Sequence, residues 1–191
     1  MKKIIVSEMI TLDGYFGGLN GEVDWFMWDK NTDSETFEML TETDCLLLGH
    51  KTYEILSGYW PTATEEEPKY IERINSLKKV VVSKNSRTLD WNAEPLKVSS
   101  DEELTNAVNN LKTKHNLLIF GSGSIVSVLT KNKLIDEYRL FMNPVILGSG
   151  KPLFTNTGDK SVLNLTQTKT FGNGVVLLEY KIRNNNESQI K

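Results

Sequence analysis

The chain has 191 residues, which suits one domain with a sizeable buried core. Hydrophobic residues make up 39% and charged residues 25%, a globular composition that excludes a low-complexity or disordered chain. The 22 Lys and Arg against 25 Asp and Glu leave a net charge of -3, so no basic field draws in nucleic acid; the single cysteine, Cys45, excludes an internal disulfide framework and a cysteine zinc cluster.

Lys3 to Ile10 is short, β-branched and closed by Asp13-Gly14, and it reads as a strand. Ser7 and Glu8 break it too early for a signal-peptide core, and no apolar run reaches the roughly 18 residues of a membrane span. A cytoplasmic protein without a membrane partner is therefore expected. Residues 13–31 form a long loop rich in Gly, Trp and Phe; such loops are often functional, although the aromatics could equally plug one end of the core. Thr32 and Glu35 have capping-box spacing before a helix. Cys45 to Leu48 is apolar on both faces, which predicts a central buried strand.

Lys51 to Leu56 reads as a helix stopped by Gly58, residues 61–69 as a loop, and Tyr70 to Leu77 as a short helix. Lys79 to Ser83 and Leu96 to Val98 are the next strands. Ser100 to Glu103 is a capping box ahead of a helix with Leu104, Ala107, Val108 and Leu111 on one face. Leu117 to Phe120 is a buried strand that runs into Gly121-Ser122-Gly123-Ser124 and a helix. Asp136 to Leu147 reads as a long strand, with Pro144 marking a bulge or an edge. Leu163–Phe171 and Val175–Ile182 flank Gly172-Asn173-Gly174, a hairpin signal. Residues 184–191 read as a disordered polar tail, and 1–183 as a single domain. Strands alternating with helices predict a three-layer α/β fold: a mostly parallel sheet, helices on both faces, and an antiparallel C-terminal hairpin.

In such sheets ligands bind beyond the carboxyl ends of the strands. Three turns put small or polar groups there: Gly49-His50-Lys51-Thr52, Ser83-Lys84, and Gly121-Ser122-Gly123-Ser124. Glycine lets a backbone approach a ligand, a helix N-terminus offers N–H groups to phosphate, and His50, Lys51 and Lys84 add positive charge. Each turn alone is also ordinary turn chemistry; together they fit a dinucleotide better than one phosphate. The glycines match neither the dinucleotide G-x-G-x-x-G fingerprint, since Val126 occupies the last position, nor a Walker loop. The chain has two histidines and lacks a metal-ligating pair and a G-x-S-x-G elbow, so no metal site and no hydrolase triad are expected.

Taken in order, several motifs resemble the dihydrofolate reductase-like group. They are Thr11-Leu12-Asp13-Gly14, Gly21-Glu22 with Trp25, Leu48 to Glu54, Val81 to Ser83, Ile119 to Ser124, Leu134 to Glu137, and Pro144 to Gly150 with Pro152 to Phe154. The resemblance lies in the branch shaped like the C-terminal reductase domain of the bacterial bifunctional riboflavin biosynthesis protein. It implies an NADPH-dependent reductase related to 5-amino-6-(5-phosphoribosylamino)uracil reductase, acting on a C=N or C=O bond of a small heterocyclic or sugar-like substrate. By the same resemblance Gly49, His50, Lys51 and Thr52 meet the phosphates, and Ser83 and Lys84 the adenosine end. Gly121, Ser122, Gly123, Ser124, Ile125 and Val126 cradle the pyrophosphate and nicotinamide side, across a Gly121–Ser122 bond that is cis. Gly148 approaches the nicotinamide ribose. Thr11, Asp13 and Trp25 line the substrate side, with Asp13 and Trp25 as the catalytic candidates.

Two positions depart from the family pattern. Lys30, flanked by Asp29 and Asp33, stands where folate reductases carry a buried carboxylate, and Phe120 where riboflavin enzymes often carry an acid. The substrate is thus left open. The alternatives are a nucleotide-binding relative without turnover and, further off, a flavin-binding module. The resemblance also implies a homodimer; Tyr138, Leu140 and Met142 would either face a partner or face the core.

Overall fold

The computed structural model describes residues 2–84 and 89–183. The disordered tail expected over 184–191 lies outside these residues. Apolar runs make the central strands: β1 (Ile4–Thr11), buried at every position, β3 (Cys45–Gly49), β4 (Lys78–Ser83) and β6 (Leu117–Phe120). β7 (Glu137–Asn143) is largely buried, with Leu140, Phe141 and Met142 as an apolar run, and β5 (Ala93–Lys97) is a more exposed edge. β9 (Leu163–Thr170) and β10 (Val176–Ile182) form the expected hairpin, whose turn is closed by Gly174 at φ 90°.

The eight-stranded sheet has the order β5-β4-β3-β6-β1-β7-β10-β9. The first six run parallel and β10 and β9 run antiparallel to their neighbours. α1 (Lys30–Thr41), α2 (His50–Tyr59) and α3 (Pro68–Ser76) follow β1 and β3, which step one way across the sheet. α4 (Asp101–Lys112) and α5 (Gly123–Lys131) follow β5 and β6, which step back. Right-handed crossovers put the two groups of helices on opposite faces. The core accordingly has two halves. Ile4, Val6 and Ile10 pack with Leu104, Val108, Ile125 and Leu129. Ile5 and Met9 pack with Met39, Leu40, Tyr70 and Ile74. This is a mixed α/β, three-layer fold of the expected class. Tyr138 and Leu140 lie in the first half-core at 1% and 7% exposure, which settles their direction.

Several boundaries differ from expectation for physical reasons. The cap of α1 is Asp29, whose carboxylate accepts from the N–H groups of Asn31 and Thr32, while Thr32 reciprocates; the box lies three residues before the expected one. α2 runs through Gly58, because Tyr59 and Trp60 are held beyond it by the stacking of Trp60 on Tyr70. α3 starts at Pro68, whose missing N–H costs nothing in a first turn. β7 ends at Asn143 rather than Leu147: it lies between β1 and β10, and Pro144 could not donate to a ladder there. A two-stranded ribbon of β2 (Tyr15–Gly17) and β8 (Lys151–Pro152), unexpected from sequence, folds the long loop back over the sheet end.

Candidate functional site

β3, β4 and β6 are adjacent, so the three turns singled out above lie side by side at one sheet edge. Gly49 stands next to Val82 in register, and Leu47 next to Ile119, which brings Gly49 level with Gly121. This is also where the strand order reverses, with β1 sending its crossover one way and β6 the other.

The turns after β3 and β6 are locked together. The Ser122 hydroxyl accepts the Gly49 N–H at 2.7 Å, lies 3.2 Å from the Thr52 hydroxyl, and donates to the Phe120 carbonyl. Gly121 and Ser122 both take left-handed backbone, at φ 59° and 64°. The bond between them is not cis; among the described residues no peptide bond is. The left-handed pair makes the reversal instead. Glycine is needed at 121 because a Cβ there would lie 2.7 Å from the Thr52 hydroxyl, and at 123 because it would lie 2.6 Å from the Phe16 ring.

Sequence provides the contrast that marks these turns. α1 and α4 begin with side-chain caps, Asp29 and Ser100, and carry acidic residues in their first turns. α2 and α5, like α3, have no side-chain cap and no acid in the first turn, and the first two start side by side. Ser122, which could cap α5, is spent on Gly49. Two helix N-termini with their dipoles uncompensated thus meet at one point, an arrangement suited to an anion. His50 opens α2, with its Nε2 3.0 Å from the Glu54 carboxylate one turn on, and Lys51 and Lys84 are exposed. Ser83 ends β4 beside the α2 turn.

Not every expected residue reaches this point. Ile125 and Val126 turn into the core, and their N–H groups donate to the Ser122 carbonyl. Thr11 is fully buried; its hydroxyl donates to Asp13 and accepts the Tyr15 N–H. The Thr11 hydroxyl above all, with the N–H groups of Gly148 and Leu147, holds the Asp13 carboxyl below the ordinary range, and the latter two tie the Gly148 loop to the end of β1. Trp25 packs edge-on to Phe26, and its buried indole N–H has no hydrogen-bond partner. Its loop is pinned where the Met27 N–H donates to the buried Asn143 on β7. A cavity of about 690 Å³ opens beside α5, lined by Phe16, Gly123, Ser124, Lys131, Gly150 and Lys151 among others, and so begins at the same first turn.

Sequence reading passed over one residue. Glu8 lies mid-strand in β1, 6% exposed, with the Gly121 N–H directed at its carboxyl and Oε1 without a partner. Burial pushes its pKa well above the ordinary carboxylate range. The available signal was a lone acid inside the apolar run IIVSEMIT.

Comparison with known proteins gives concordant matches. The model of the RibD C-terminal domain family matches residues 2–177. YyaP, an uncharacterized protein of Bacillus subtilis (strain 168), is 32% identical over 183 residues, covering 94% of each chain. Among solved structures, a Shewanella sp. PV-4 protein assigned to riboflavin biosynthesis superposes with TM-score 0.74 at 20% identity, over 95% of this chain and 99% of the other. The dihydrofolate reductase of Enterococcus faecalis, solved with NADP(H), superposes with TM-score 0.65 at 14% identity, over 95% and 97%. At these identities the structural matches speak for a shared fold.

Proposed function

The chain belongs to the RibD C-terminal domain family, and from that premise we propose that it is an NADPH-dependent reductase of a small heterocyclic or sugar-like substrate, reducing a C=N or C=O bond. The observation that carries this reading is the meeting of two uncapped helix N-termini, α2 and α5, across the Gly49–Ser122 hydrogen bond.

The first turns of α2 and α5, Gly49 to Thr52 and Gly121 to Ser124, would hold the pyrophosphate with backbone N–H groups. His50, Lys51 and Lys84 would supply the positive charge that favours a 2′-phosphate, and Ser83 would lie by the adenosine. Bound NADPH supplies the hydride. The chain's own work is to hold the acceptor carbon close and to exclude water, with Trp25 and the aromatic loop over the sheet end. Asp13 suits a positioning role: three hydrogen bonds keep it ionised, and it fastens the Gly148 loop beside the ring end.

Titration calorimetry with NADPH and NADH tests the reading. Micromolar NADPH binding, weaker NADH binding, and loss of that preference in Lys84→Ala or His50→Ala are expected. Absence of binding to either, in folded protein, would mean that the fold persists without the cofactor. A screen of small carbonyl and imine substrates, followed by NADPH absorbance, then separates a reductase from a nucleotide binder that does not turn over.

A further inference from the structure

β1 is paired with β7 along its length, from Ile5 opposite Glu137 to Thr11 opposite Asn143. Its pairing with β6 stops earlier, at Ser7 opposite Phe120. From Glu8 onward β1 therefore has one edge that β6 has left, because the chain turns away at Gly121. The result is a break in the ladder between the second half of β1, which is buried, and the Gly121–Ser124 turn. Glu8 is the first β1 residue beyond the split. By the period-two alternation it shares the face of Val6 and Ile10 beneath α5, and the Gly121 N–H is directed at its carboxyl.

A carboxyl so placed asks for an explanation. It is buried, and among the described residues no charged group offsets it and Oε1 has no hydrogen-bond partner. Burial without a counter-charge favours the neutral acid. The Gly121 N–H faces this carboxyl, while Oε1 is buried without a hydrogen-bond partner. Buried polar groups left in this state are uncommon and costly.

We infer that Glu8 is a binding residue for the ring end of the cofactor, donating its O–H to the carbonyl of the nicotinamide carboxamide. The inference rests on the reductase reading. Strand order sets the distance: from Ser83 on β4 to Glu8 on β1 is three strand spacings, about 14 Å. A dinucleotide with its adenosine end at Ser83 and its pyrophosphate between the α2 and α5 N-termini brings its ring to the break between β1 and β6. The carboxamide oxygen is the acceptor that the acid lacks, and a neutral donor spares the reduced ring a buried negative charge.

The test uses the full chain and two ligands: NADPH, and 2′-phospho-ADP-ribose, which has the same phosphates and adenosine but no ring. Glu8→Met should weaken NADPH about tenfold and leave the ringless ligand within about twofold. Glu8→Gln, whose amide N–H can donate in place of the acid, should keep NADPH within about threefold of the parent. Should Glu8→Met not fold, Glu8→Ala takes its place with the same expectation. Equal weakening of both ligands would make Glu8 a purely structural residue and overturn the inference. So would an unchanged NADPH affinity, or a loss in Glu8→Gln as large as in Glu8→Met. If the parent protein binds neither ligand, the reductase reading itself falls; if it binds both and Glu8 is indifferent, only this inference does.

Discussion

Gly121→Ala is the substitution that most directly probes the joined turns. The added methyl meets two obstacles. The backbone at 121 is left-handed, which costs an L-residue about 1–2 kcal/mol. The Cβ would also lie 2.7 Å from the Thr52 hydroxyl and 3.1 Å from its methyl, so Thr52 must move. Moving it gives up the contact with the Ser122 hydroxyl, worth about 0.5–1.5 kcal/mol. The sum, about 2–3 kcal/mol, should lower Tm by about 5–10 °C in a chain of this length. Urea denaturation followed by tryptophan fluorescence measures it. Combining Gly121→Ala with Thr52→Ala removes the collision but not the left-handed strain, so the double variant should lose less than the two single losses added. If the turn holds the cofactor as proposed, dinucleotide affinity should fall in Gly121→Ala alongside stability. A variant as stable as the parent would refute the close approach of the two turns. Strict additivity in the cycle would leave backbone strain as the whole cause.

Three further outcomes are expected. Lys79 is fully buried, donates to the Ile74 and Asn75 carbonyls at the end of α3, and lies 4.0 Å over the Trp91 ring; Lys79→Met should cost about 2–4 kcal/mol in chemical denaturation, and a neutral result would deny it the capping role. Glu8 has a raised pKa, so above an unfolded value of about 4.3 the folded chain keeps a proton that the unfolded chain releases, and stability should fall with rising pH by up to about 1.4 kcal/mol per unit until the folded pKa is passed. Glu8→Gln should remove that slope in urea titrations run across pH, and identical slopes would mean the acid is not protonated when folded. Asp13 has a lowered pKa, so its hold on the Gly148 loop should be complete above about pH 3.9 and be lost as pH falls through its lower folded value. Asp13→Asn should reproduce that loosening at neutral pH as faster amide exchange at Gly148, and unchanged exchange would show that the loop is held by other contacts.

Much of the molecule follows from local chemistry that a sequence displays. The runs Cys45 to Leu48 and Leu117 to Phe120 bury both faces, so they had to be central strands, and the glycines after them mark where the chain must turn. Ser100 and Glu103 announce a helix start because the cap needs only neighbouring residues. The three turns beyond the strand ends were legible for the same reason, and with them the region of the candidate site. Tertiary structure decided whatever depends on partners distant in the chain. Thr32 has the spacing of a cap, and folding put the cap at Asp29, three residues earlier. Gly58 stops a helix in isolation but not one carried past it by stacking of Trp60 on Tyr70. The ribbon of β2 and β8 joins segments more than a hundred residues apart, with only short pairing to signal it. Ser122 looks like an α5 cap until Gly49, 73 residues earlier, takes its hydroxyl and leaves the helix end free for an anion. Glu8 reads only as an interruption of an apolar run; its raised pKa follows from burial beside the turn after β6. Sequence therefore determined where the chain could turn and what could be buried. Packing alone decided which donors were used up, which were left over, and which acid was buried.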